Sequence, residues 1–204
     1  MMKNAISSDH DPLSALPAPD RRQTRRALTV YKVVKVSQGG KEALARCRNV
    51  SESGMKLEVA MPLSLNDSLS VELSPDHVLH TRVVWTNGNE CGVAFERTID
   101  CAELLGQSAE QKRRDRSRSP RLNSRIPARI AAEGQVLPTT IKNISQRGMM
   151  LTHGGKFRPG LRVKVMMDNG KDREAVVQWT HENFAGLMLI DPYSVMELGE
   201  IQAG

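Results

Sequence analysis

The feature that most constrains this chain is an internal repeat with a fixed offset of 94 residues (143 − 49 = 94). The shift lays Asn49 over Asn143, Ser51 over Ser145, Gly54 over Gly148, Met55 over Met149 and Leu57 over Leu151. It continues with Val83-Val84-Trp85-Thr86 over Val177-Gln178-Trp179-Thr180, Asn89 over Asn183, Gly92 over Gly186, and Glu103-Leu104 over Glu197-Leu198. A period that does not drift over this length means two copies of one folding unit. The 204 residues therefore divide into two small domains and not one large one.

Within a unit the apolar residues follow the period of β-strands. Leu28-Thr29-Val30-Tyr31-Lys32-Val33-Val34-Lys35-Val36 alternates as a half-buried strand does, and Gly39-Gly40 supplies a turn, replaced by Glu133-Gly134 in the second unit. Further strands are predicted at 55–60, 68–73, 79–86 and 91–96, with counterparts at 149–153, 161–167, 173–180 and 185–190. An antiparallel sheet this small leaves exposed edges unless it closes, so a barrel with a helix over one end is predicted for each unit. The helix has a start signal in both copies: Ser194-Val195-Met196-Glu197 has the S-x-x-E form of a capping box, and Asp100-Cys101-Ala102-Glu103 holds the same place. The chain is thus mainly all-β: a tail at 1–20, a first domain at 21–106, an arginine-rich linker at 107–120 (QSAEQKRRDRSRSP) and a second domain at 121–204.

Composition narrows the function. No run approaches the roughly 18 apolar residues of a membrane helix, and the N-terminal twenty residues lack the basic start and apolar core of a signal peptide, so a cytoplasmic location without membrane insertion is expected. Three cysteines without metal-type spacing fit a reducing compartment, and no metal site is expected. The five histidines form no H-x-x-x-H pair, and neither a G-x-S-x-G elbow nor a P-loop occurs, so no catalytic residues are assigned and the protein is not expected to be an enzyme. The net charge of +6 points to an anionic partner.

Two motifs recur ahead of and within the strands. Arginines spaced four apart, Arg22 with Arg26 and Arg121 with Arg125, open the units; Pro120 and Pro127 flank the second pair and favour an extended or irregular loop over a helix. The first unit has four arginines in six residues, so Arg21 with Arg25 is a rival register. After the second strand each unit carries N-x-S-x-x-G, as Asn49, Ser51 and Gly54, and as Asn143, Ser145 and Gly148. Asparagine and serine bond neighbouring backbone in turns and glycine supplies a positive φ, so a tight turn explains the motif by itself. The same turn can also present an amide, a hydroxyl and backbone N–H groups to a purine edge and a phosphate. The spacing from Arg26 to Asn49 is 23 residues (49 − 26) against 18 (143 − 125) in the second unit, which reads as a first hairpin five residues longer.

Both motifs, twice and in register, resemble the PilZ domain signature of R-x-x-x-R followed by D/N-x-S-x-x-G. The similarity extends from residue 21 to the end of the chain, including the V-V-x-W strand and Gly92-Val93-Ala94-Phe95. The resemblance implies two small antiparallel PilZ-type β-barrels, each with a short C-terminal helix, and as ligand the bacterial second messenger cyclic di-GMP; no further cofactor is implied. By position, Arg22, Arg26, Arg121 and Arg125 would clamp phosphate and guanine, Asn49, Ser51, Asn143 and Ser145 would bond from the barrel surface, and Gly54 and Gly148 would set the backbone. Arginine suits this role because it both forks onto phosphate or the guanine Hoogsteen edge and stacks on a purine. Glu52 in the first turn, against Gln146 beside Arg147 in the second, makes the second site the stronger one expected. Binding would order the segment 107–125 and change the arrangement of the barrels, to be read by an unidentified effector protein. Two other readings stand beside this one: a ligand-free adaptor that binds only protein, and nucleic-acid binding through Lys112-Arg113-Arg114-Asp115-Arg116-Ser117-Arg118, against which an aromatic content of 3% argues.

Overall fold

The structure, a computed structural model, describes residues 28–74, 77–100, 119–155 and 157–203. Twelve strands and one helix are found among them. The first six are β1 (Leu28–Gln38), β2 (Lys41–Val50), β3 (Gly54–Val59), β4 (Ser68–Ser74), β5 (His77–Asn87) and β6 (Glu90–Phe95); they close into an antiparallel barrel in the order β1-β2-β3-β6-β5-β4. The next six are β7 (Leu122–Ala132), β8 (Gln135–Ser145), β9 (Gly148–Thr152), β10 (Arg162–Met166), β11 (Arg173–His181) and β12 (Phe184–Leu189), closed in the equivalent order β7-β8-β9-β12-β11-β10. Among the described residues no helix is long and apolar enough to cross a membrane.

Alternation explains the two cores. Val34, Val36, Ala43, Ala45, Cys47, Met55, Leu57, Val83 and Val93 point into the first barrel, and Ile130, Ile141, Met149, Leu151, Val177 and Leu187 into the second. Closure leaves neither sheet with a full edge, although β10 pairs with β7 only over Arg129–Ala131. That short seam accommodates Pro127 within β7: at its position β7 carries a ladder on the β8 side alone.

Pairing corrects the expected difference in hairpin length. In the first barrel Gln38 faces Lys41 and Thr29 faces Asn49; in the second Ala132 faces Gln135 and Asn123 faces Asn143. The two hairpins are the same length, and both first strands carry an irregularity at the same point, between Thr29 and Lys32 and between Asn123 and Ile126. The five extra residues after Arg26 therefore lie at the entry to β1 and not in the hairpin.

The helix, α1 (Val195–Ala203), begins as its sequence predicts. The Ser194 N–H donates to Glu197 Oε2 at 2.8 Å and the Glu197 N–H donates to Ser194 Oγ at 3.1 Å, a complete capping box. Glu197 also holds Arg173 at 2.5 Å, and Arg173 lies 4.2 Å over the ring of Tyr193. Helix α1 does more than cover its own barrel. Val195, Leu198 and Ile201 share one apolar cluster with the second barrel and with Leu44 of the first, and a Cβ on Gly199 would stand 2.2 Å from the Cβ of Ala60. Leu44 is out of phase with its inward neighbours Ala43 and Ala45, so it points outward, yet it is 0% exposed. The helix of the second barrel thus seats on the outside of the first. The corresponding helix predicted after Asp100 lies outside the described residues.

Candidate functional site

Each N-x-S-x-x-G segment joins two strands by a tight turn whose bonds repeat in both barrels. Ser51 N–H and Oγ donate to the Gly54 carbonyl at 2.8 and 3.2 Å, and Ser145 Oγ donates to the Gly148 carbonyl at 3.0 Å. The two carbonyls inside each turn receive the outgoing chain: Phe95 and Ile99 N–H donate to Ser53 and Glu52, as Leu189 and Tyr193 N–H donate to Arg147 and Gln146. Both serine hydroxyls are therefore occupied in holding the turn. The glycines answer a different need from the positive φ expected of them, for neither is among the positive-φ residues. A Cβ on Gly54 would lie 2.3 Å from the Val93 carbonyl oxygen, and one on Gly148 would lie 2.5 Å from that of Leu187. Close approach of the neighbouring strand excludes a side chain there.

The asparagines belong to a row of outward-facing residues that crosses five strands. In the second barrel Asn123 faces Asn143, Asn143 faces Met150, Met150 faces Gly186, and Gly186 faces Trp179. In the first the row is Thr29, Asn49, Lys56, Gly92 and Trp85. Each indole lies over its glycine, where a Cβ would come within 2.0 Å of Trp85 Nε1 or 2.1 Å of Trp179 Nε1. This is how an aromatic side chain covers a glycine on a neighbouring strand. Trp179 still exposes 39% of its surface. From β7 to β12 the row spans three inter-strand steps, about 14 Å. The tryptophans were not singled out from sequence, although the seven-residue step from Trp85 to Gly92 and from Trp179 to Gly186 places them across a hairpin.

Arg121 and Arg125 border the second row. Arg121 precedes β7, whereas Arg125 lies inside it, in the bulge between Asn123 and Ile126; the expected loop is a bulged strand. A bulge re-aims the extra side chain, and both arginines are exposed. Ser124 Oγ anchors the bulge on the Ile141 carbonyl at 3.0 Å. Between these arginines and the indole, Asn143 Oδ1 is buried and, among the described residues, has no hydrogen-bond partner, while its Nδ2 reaches Met150 Sδ at 3.9 Å. A buried acceptor left open in this way is the kind of group that a ligand donor satisfies.

The first barrel presents different chemistry on the equivalent face. Arg22 and Arg26 lie outside the described residues. With Thr29 in the place of Asn123, the positions matching Arg121 and Arg125 are Ala27 and Tyr31. Tyr31 is 76% exposed, and the Arg48 guanidinium lies 5.9 Å over its ring. Arg48 and Arg46 both pair with Glu58, and Lys56 pairs with Glu90 at 2.8 Å. In the second barrel the residues matching Glu58 and Glu90 are Thr152 and Phe184, neither able to neutralise a cation. The cations of the first face are thus already paired with carboxylates, while the second face has no carboxylate at either place.

Comparison with known proteins agrees with the repeat. The PilZ domain family matches residues 20–108 and again 114–193. No curated protein matches the chain. Among solved structures, the chain is similar to the Borreliella burgdorferi PlzA protein in complex with c-di-GMP, at 11% identity over 85% of this chain and 86% of that one, with a TM-score of 0.39. It is also similar to the Bacillus subtilis inhibitor of motility MotI/DgrA, at 13% identity over 86% and 96% with a TM-score of 0.35. Escherichia coli YcgR in complex with c-di-GMP matches at 11% identity over 83% and 81%, again with a TM-score of 0.35.

Proposed function

Because the chain belongs to the PilZ domain family, we propose that it is a cyclic di-GMP receptor and not an enzyme, with its principal site on the outer face of the second barrel. The observation that carries this reading is the row Asn123–Asn143–Met150–Gly186, flanked by exposed Arg121 and Arg125 at one side and the half-exposed Trp179 at the other, with an open buried acceptor at Asn143 Oδ1. Arginines supply forked donors to phosphate and to the guanine Hoogsteen edge. The amide oxygen of Asn143 accepts from a guanine N–H, and the indole offers a face for stacking. Gly148 keeps the turn tight, while Ser145 holds its shape.

The first barrel is the weaker site. Arg22 and Arg26 enter five residues upstream of the positions that Arg121 and Arg125 fill, and the cations of the face they would serve are already paired with Glu58 and Glu90. Ligand on the second barrel draws Arg121, and with it the basic 107–120 segment, onto the barrel surface; the resulting change in barrel arrangement is the signal an effector protein reads.

Calorimetric titration of the full chain with cyclic di-GMP tests the proposal, with cyclic di-AMP and linear pGpG as controls for charge alone. Arg121→Ala or Arg125→Ala removes charge-assisted bonds of about 1.5–3 kcal/mol, a loss of roughly tenfold or more in affinity. Arg22→Ala and Arg26→Ala are expected to change the main binding event less. Absence of binding by the wild type, with the fold intact by circular dichroism, would leave an adaptor that recognises only protein.

A further inference from the structure

Glu42 belongs to the first barrel, yet its carboxylate is bonded to the centre of the arginine motif of the second. The Asn123 N–H donates to Glu42 Oε2 at 2.9 Å, and Asn123 Nδ2 donates to Glu42 Oε1 at 3.4 Å. The Asn123 carbonyl accepts from Gln202 Nε2 of α1 at 3.2 Å. Backbone donor and backbone acceptor of the residue midway between Arg121 and Arg125 are therefore both held from outside its own sheet. The position matching Glu42 in the second barrel is Val136, so this contact is not part of the repeated architecture. Lys35 holds Glu42 from the other side at 3.5 Å and is itself tied to Glu72 at 2.8 Å, which fixes the carboxylate within a small charged network.

We infer that Glu42 is a positioning residue for the ligand site of the second barrel: by clamping Asn123 it sets the bulge that aims Arg121 and Arg125, so the docked first barrel completes that site. The inference rests on the cyclic di-GMP reading. Pre-setting the bulge removes an ordering cost from ligand binding, and by linkage a bound ligand strengthens the clamp in the same proportion. Glu42 touches no ligand in this scheme; it acts through Asn123.

The test is calorimetric titration of cyclic di-GMP into the full chain carrying Glu42→Ala, Glu42→Gln, Gln202→Ala or Leu44→Ala, with hydrogen exchange of the 121–125 segment followed in parallel. Glu42→Ala is expected to weaken binding roughly five- to tenfold, the scale of one charge-assisted bond to a backbone amide. Glu42→Gln keeps an acceptor for the Asn123 N–H and should recover most of the loss, and Gln202→Ala should weaken binding in the same direction as Glu42→Ala. Exchange at 121–125 should quicken in Glu42→Ala and slow again with ligand. Leu44→Ala loosens the docking that brings Glu42 to Asn123 and should therefore weaken binding in the same direction as Glu42→Ala. Wild-type affinity or tighter binding in Glu42→Ala overturns the inference, as does an equal loss in Glu42→Ala and Glu42→Gln, which would mean that the acceptor for the Asn123 N–H is not what matters. A wild type that does not bind cyclic di-GMP removes the receptor reading and this inference together, whereas a binding wild type with an unaffected Glu42→Ala removes only the latter.

Discussion

Leu44→Ala separates the stability of the two barrels from the stability of their association. Leu44 faces outward from β2, is 0% exposed, and packs into the apolar cluster of the second barrel beside Leu198 and Ile201. Truncation removes buried carbons at a contact to which α1 is held closely, with Gly199 against Ala60 leaving little freedom for collapse. Leu→Ala at such a site costs about 2–5 kcal/mol. For a cooperative unit of this size, each kcal/mol lowers Tm by about 2–4 °C, so a fall of roughly 4 °C or more is expected. The repeat provides its own control: the equivalent residue of the second barrel is the exposed Pro138, where substitution by alanine is expected to change stability by no more than about 0.5 kcal/mol. Urea and thermal unfolding, with small-angle scattering of the folded protein, read both effects, and undocking should enlarge the particle while circular dichroism stays that of β-barrels. Equal stability and equal scattering for Leu44→Ala and Pro138→Ala would refute the idea that α1 fastens the barrels together.

Gly148→Ala should destabilise by about 1–3 kcal/mol, because the added Cβ meets the Leu187 carbonyl 2.5 Å away and β9 must part from β12; Gly154→Ala, with nothing within 4 Å, is the near-neutral comparison in chemical denaturation. Burial pushes the thiols of Cys47 and Cys91 up to about 11, so roughly one in a thousand is ionised at pH 8, and peptide mapping after alkylation should find both slow in the native protein and fast in urea. Equal rates in the two conditions would contradict their burial. The Ser194 backbone N–H, helped by Arg173 and the Ser194 hydroxyl against opposing desolvation, holds the Glu197 carboxyl below its ordinary value of 4.5. A depressed folded value gives stability that is complete above the unfolded value and lost as pH falls through the folded one, so the advantage of wild type over Glu197→Gln in urea midpoint at pH 7 should shrink at pH 3. An advantage unchanged at pH 3 would count against the capping carboxylate.

Elements that depend on local pattern were legible from the chain. Alternation from Leu28 to Val36, the turn at Gly39-Gly40 and the S-x-x-E at Ser194 each report interactions between residues close in sequence, and β1, its hairpin and the cap of α1 stand where those signals put them. The glycine of N-x-S-x-x-G was placed in a turn correctly but for a different physical reason, since the atom that excludes a Cβ belongs to Val93 or Leu187, some forty residues away along the chain. Likewise the spacing from arginine to asparagine could not tell a longer hairpin from an upstream insertion. Strand register decides that, through pairs such as Thr29 with Asn49.

By itself the sequence determined that there are two copies of one β unit, because a 94-residue offset survives from the asparagine turn to the helix start. It also marked the arginine pairs and the asparagine and serine of N-x-S-x-x-G as candidates for meeting an anionic ligand. Tertiary structure alone decided how the faces of the two copies differ. Glu58 and Glu90 occupy the cations of the first face through cross-strand pairs, Tyr31 fills the place of Arg125, and Leu44 and Glu42 turn the outer surface of the first barrel toward α1 and Asn123 of the second. The physical reason is that repetition fixes backbone, which is shared, whereas function follows from side chains brought together across strands and across barrels. Residues such as Glu42 and Asn123 are 81 positions apart, and no local period connects them.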